Sequence, residues 1–183
     1  PLTTAAQPVE ASDTLILGNS GKGTSVISGN LIVSAGGDID DDGVLEVTGT
    51  SSFTTTAANG SVTLDQASSY SGAVSFSTNG SGSVTITNVQ TALTFAASTI
   101  GGGFTVETVN AGGIADSGNI SVTGNSSFTA PGGASIILDA VNTFTGTVSF
   151  LSGGTLSDVT VYDTTAIDLG PLTVSGTLTV TAR

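Results

Sequence analysis

The sequence predicts an all-β fold, a parallel β-solenoid, and three observations predict it. Strand-like clusters are short and no helical periodicity appears; a stretch of about 75 residues repeats; and the apolar residues are uniformly of medium size. Charged residues make up 9% of the chain, against roughly 25% in an average soluble protein. The polarity is carried by Ser, Thr, Asn and 26 glycines. Val, Ile, Leu and Thr in short clusters mark a folded β protein rather than a disordered one.

The strand signals run through the chain in order. Gly29-Asn30-Leu31-Ile32-Val33 opens a partial repeat over residues 1–37, and the long repeats follow at approximately 38–112 and 113–183. Gly43-Val44-Leu45-Glu46-Val47-Thr48-Gly49-Thr50-Ser51-Ser52-Phe53-Thr54 returns 75 residues later as Gly118-Asn119-Ile120-Ser121-Val122-Thr123-Gly124-Asn125-Ser126-Ser127-Phe128-Thr129. Val62-Thr63-Leu64-Asp65 returns as Ile136-Ile137-Leu138-Asp139, and Tyr70–Phe76 returns as Phe144–Phe150, both at an offset of 74. Val84-Thr85-Ile86 matches Val159-Thr160-Val161, and Phe104-Thr105-Val106 matches Leu178-Thr179-Val180. Each cluster alternates apolar residues with Ser or Thr and is bounded by Gly, Asn, Asp or Ser.

Strands this short and close leave no room for βαβ crossovers. Two architectures fit. One is a single continuous solenoid over residues 1–183, of roughly eight coils, with about three coils to each long repeat. The other is a pair of tandem immunoglobulin-like β-sandwiches. The lack of Trp, the irregular Gly-Gly and Ser-Gly turns, and a core that stacks like on like favour the solenoid. The reading also takes the chain for a piece of a longer protein, since it starts at Pro1 and stops after a strand-like cluster.

Strings such as Asp116–Gly124, Ser126–Ala130, Phe144–Phe150 and Leu178-Thr179-Val180-Thr181-Ala182 resemble the repeat arrays of filamentous-haemagglutinin-like adhesins and autotransporter passengers, over nearly the whole chain. The resemblance implies a right-handed β-helix, export across the Gram-negative outer membrane, and a bacterial cell-surface stalk that presents binding surfaces. The expected function is structural or adhesive rather than enzymatic. Head-to-tail filament assembly and a glycan-, calcium- or ice-binding module are the alternatives.

The net charge of −12, with Lys22 and Arg183 as the only basic side chains, argues against nucleic acid and anionic membrane surfaces as partners. No apolar run approaches the ~20 residues of a membrane-spanning helix. Without Cys or His, disulfides and the usual zinc and haem ligands are missing. The sharpest local motif is Asp38-Ile39-Asp40-Asp41-Asp42-Gly43, in which Asp38, Asp40 and Asp42 match the start of a calcium loop. The equivalent stretch Gly113–Gly118 keeps one carboxylate, Asp116, so a solvated acidic turn competes with the calcium reading. No other cofactor is expected.

Asp65 and Asp139 are expected to cap turns by accepting backbone N–H groups. Asp158, Asp163 and Asp168 are the carboxylates a neutral-glycan hydrolase would use, with no Arg or Lys beside them in sequence. Gly18–Thr24 and Gly101-Gly102-Gly103 read as turns, because no helix follows to complete a phosphate-binding loop. The Thr-x-Thr pairs at Thr85/Thr87, Thr177/Thr179 and Thr179/Thr181 read as ordinary strand residues, and as an ice-binding ladder only if they align without interruption.

Overall fold

A computed structural model describes residues 14–90, 92–110 and 112–183. Among them are twenty strands and no helix, so no helix is long and apolar enough to cross a membrane. Every strand pairing is parallel, as stacked coils require and tandem sandwiches forbid. One sheet stacks eight rungs, Leu15–Leu17, Ile39–Asp41, Val62–Tyr70, Val84–Asn88, Phe104–Thr108, Ser126–Thr129, Thr147–Leu151 and Asp168–Leu169. At the usual inter-strand spacing the rod is about 40 Å long.

The second sheet takes the alternate segments. It contains Leu31–Ala35, Ser51–Thr55, Val74–Ser77, Leu93–Phe95 with Ser98–Ile100, Ile114–Asp116 with Ile120–Val122, Ile136–Phe144, Val159–Asp163 and Leu178–Ala182. Each coil therefore contributes one half to each sheet. Between Ile39 and Thr108 the chain lays down seven half-coils, namely Ile39–Val47, Ser51–Thr55, Val62–Tyr70, Val74–Ser77, Val84–Asn88, Leu93–Ile100 and Phe104–Thr108.

Seven is odd, so the long repeat spans three and a half coils rather than the three expected from its length. Its consequence is a change of face. Ser51–Thr55 lies in the second sheet and its equivalent Ser126–Thr129 in the first, while Val62–Tyr70 lies in the first and its equivalent Ile136–Phe144 in the second. Successive repeats thus present the same sequence on opposite sides of the rod.

Side chains alternate in and out along each strand. Val62, Leu64, Val84, Ile86, Phe104 and Val106 are buried, whereas the residues between them face outward. The interior contains one aromatic string. Phe53 stacks on Phe76 at 5.6 Å between ring centroids, and Phe76 meets Phe95 and Phe104. Phe104 then meets Phe128 at 5.5 Å, and Phe128 meets Phe144 and Phe150. Tyr70 joins edge-on at Phe53. Because the repeat changes face, the string starts against one sheet at Phe53 and ends against the other at Phe150, crossing the core where Phe76 and Phe95 both meet Phe104.

Candidate functional site

The strand Ile39–Asp41 decides what the acidic motif can do. Ile39 and Asp41 point into the core, and Asp41 is 3% exposed. Asp38, Asp40 and Asp42 lie on the outer side, at steps of about 6.6 Å along an extended backbone. Where a calcium loop curls its ligands around one ion, these three are strung in a line. Asp38 accepts a hydrogen bond from the Ser61 amide at 2.8 Å, and Asp42 accepts from the Ser20 hydroxyl at 3.0 Å. Among the described residues no group of three or more acidic side chains is gathered as ligands of one cation. The expected turn is a strand, and its outer acids do not fit a calcium cage. Millimolar calcium is therefore expected to leave the melting midpoint unchanged in the native chain; a rise that vanishes in Asp40→Ala would contradict this geometry.

The inward carboxylate is the one with a built environment. The long strand Val62–Tyr70 bends between Leu64 and Ser68, where its register shifts against Val84–Asn88. A bend of this kind takes backbone amides out of the ladder. Asp41 Oδ1 accepts two of them, from Asp65 at 2.9 Å and Gln66 at 3.3 Å. The Ser68 hydroxyl lies 3.4 Å from Asp41 Oδ2 and also accepts the Leu45 amide at 3.0 Å.

The second repeat rebuilds this arrangement on the opposite face. Asp116 Oδ1 accepts from the amides of Asp139 at 3.1 Å and Ala140 at 3.2 Å, across the equivalent bend between Leu138 and Asn142. Asn142 Nδ2 donates to Asp116 Oδ2 at 2.6 Å, while Asn142 Oδ1 accepts the Ile120 amide at 2.8 Å. Here the structure corrects the expectation for Asp65 and Asp139. Their amides are the donors, and the capping carboxylates are Asp41 and Asp116.

Burial pushes both of these carboxyls above the usual range, Asp41 to about 6. For Asp41 the accepted amides pull back and the neighbouring carboxylates of Asp65 and Asp40 push further up. Burial also raises the Tyr70 phenol, whose oxygen has no partner at hydrogen-bond geometry among the described residues.

The remaining carboxylates named from the sequence are spread along the rod. Asp158 accepts the Thr177 amide at 2.7 Å, Asp163 accepts the Phe144 amide at 3.1 Å, and Asp168 accepts the Thr147 hydroxyl at 2.8 Å. Gly18–Thr24 forms a turn between Leu15–Leu17 and Ser25–Ile27, with Gly18, Gly21 and Gly23 at positive φ. Gly101–Gly103 connects Ser98–Ile100 to Phe104–Thr108. Thr85 pairs with Thr105, which pairs with Ser127, but Thr87 pairs with Glu107, so a charge interrupts that Thr file. A different file is longer and free of charge. Ser34, Thr54, Ser77, Thr99, Ser121 and Thr143 follow one another in register on the outside of the second sheet.

This odd-numbered repeat coincides with a known sequence unit. A family described as repeats of unknown function (DUF5649) matches residues 8–77, 81–151 and 156–183. The chain belongs to this family. Its middle unit, residues 81–151, begins with Val84–Asn88 and ends with Thr147–Leu151, both in the first sheet, and the next unit opens with Val159–Asp163 in the second. A family unit is therefore seven half-coils, and the change of face is a property of the unit. No curated protein and no solved structure matches the chain.

Proposed function

We propose that the chain is a structural segment of a secreted bacterial surface protein, a rigid stalk that carries adhesive surfaces. The observation that carries this reading is the continuous interior: parallel ladders run through about eight coils, with one aromatic string inside them from Phe53 to Phe150. Stacked coils of this kind convert added repeats into added length, about 17 Å for each three and a half coils. The charge-free file from Ser34 to Thr143 supplies hydroxyl donors and acceptors at a constant spacing, which suits a neutral glycan partner. The resemblance to exported adhesin repeats points the same way.

Exposure on living cells tests the reading. Gly153 lies in a turn where an added Cβ meets nothing within 4 Å, so an epitope inserted there is expected to leave the coils intact. In the native host, antibody is expected to label intact cells. Labelling only after lysis would overturn the proposal. A head-to-tail filament is the second reading, since the last strand, Leu178–Ala182, exposes Leu178 and Val180. Fibres of the isolated chain at micromolar concentration would favour it.

A further inference from the structure

Repeat-equivalent positions around the two inward carboxylates differ in a linked way. In the first repeat Asp41 faces Ser68 and, beyond it, Tyr70. In the second, Asp116 faces Asn142, and the place of Tyr70 is taken by Phe144. The longer amide of Asn142 reaches its carboxylate and donates to it. The short Ser68 leaves a wider gap at 3.4 Å, and the Tyr70 hydroxyl stands beside it with no partner at hydrogen-bond geometry among the described residues.

We infer that Asp41 and Asp116 are acid-strengthened clasps, one per repeat on alternating faces, and that the first gives this histidine-free protein a conformational response to pH. Burial and the neighbouring carboxylates of Asp65 and Asp40 favour the neutral form of Asp41, against the two amides that it caps. Leu15–Leu17, on one side, presents no ionisable side chain; Val62–Tyr70, on the other, presents Asp65 and Tyr70; its own segment presents Asp38, Asp40 and Asp42. No lysine or arginine offsets the buried charge. Protonated, the carboxyl donates to Ser68 Oγ while its other oxygen still accepts the amides of Asp65 and Gln66. Ionised, it places an uncompensated charge at the bend.

The sign follows. A carboxyl whose folded pKa exceeds its unfolded one contributes stability that is complete below the unfolded value and lost as pH rises through the folded value. For Asp41 that window runs from about 4 to about 6. With no histidine, little else titrates between roughly pH 5 and 7. Around Asp116, Phe95 pairs with it on one side, and Ile136–Phe144 presents Asp139 on the other. The Asn142 donor opposes the effect of burial on that second carboxylate and weakens its response.

Carboxyl-carbon NMR and thermal melting of the full chain test this. Asp41 is expected to titrate near 6, and the melting midpoint to fall by a few degrees between about pH 5 and 7.5. Asp41→Asn is expected to fold and to lose most of that fall, because Asn88 and Asp163, one repeat apart, already do the same job with an amide and a carboxylate. The double variant Ser68→Asn/Tyr70→Phe copies the second repeat and is expected to bring the Asp41 midpoint down. An Asp41 midpoint near the ordinary value of about 4 in the native chain, or one unmoved in the double variant, would overturn the inference without needing Asp41→Asn to fold.

Discussion

Replacing Phe128 by alanine is expected to lower the unfolding free energy by about 3 to 5 kcal/mol. Phe128 is fully buried and is the branching point of the aromatic string, in contact with Phe104, Phe144 and Phe150. Its removal leaves a cavity that parallel coils cannot close, because each coil is held at the inter-strand distance by its two neighbours. The loss is also local in a solenoid, where coupling passes only between adjacent coils. Urea unfolding is therefore expected to become less cooperative, with the coils on either side of Phe128 separating into two transitions. Leu151→Ala, at a side chain 45% exposed one residue beyond Phe150, the register partner of Phe128, is expected to change stability by less than about 0.5 kcal/mol.

Gly124→Val is expected to cost about 3 kcal/mol by a different route, overpacking of the turn rather than loss of core. Gly102, Gly124 and Gly146 stack turn upon turn, and the Gly124 amide donates to the Gly102 carbonyl at 2.9 Å. A Cβ at Gly124 would lie 2.7 Å from the Gly102 carbonyl carbon and oxygen, inside contact distance of backbone that cannot move without opening the rung. Gly29, Gly49 and Gly72 form the equivalent stack in the preceding repeat, so Gly49→Val is expected to be just as damaging. Gly153→Ala, with nothing within 4 Å, serves as the neutral control. Equilibrium denaturation of the three variants checks both statements.

Much of this fold was legible in the residues. Alternation in clusters such as Val62-Thr63-Leu64 and Val84-Thr85-Ile86 predicted which side chains are buried, and the absence of helical periodicity with repeat-matched strands predicted parallel stacking. The change of face was not legible. A 75-residue offset gives the length of the unit, while the number of half-coils in it depends on how many residues each turn consumes, which varies between equivalent rungs.

The inward carboxylate has a signal of its own in the sequence. Ile39 and Asp41 share one parity along the strand, as do Ile114 and Asp116, and Asp116 is the carboxylate that the second repeat keeps. The outer acids drew attention because they match a ligand pattern. The inner one does the capping because the bend at Leu64–Ser68 frees two amides, and that bend has no signature beyond ordinary polar residues.

Successive repeats alternate between the two faces of the rod. The chain has no cysteine, so nitroxide pairs can be placed at will. Thr54 and Ser121 lie in one file three rungs apart, a backbone separation of about 14 Å. Thr54 and its repeat equivalent Thr129 lie on opposite sheets three and a half coils apart, a separation of about 20 Å or more. Dipolar EPR on the two pairs is predicted to give the longer distance for Thr54/Thr129; a Thr54/Thr129 distance equal to or shorter than that of Thr54/Ser121 would contradict the half-coil architecture.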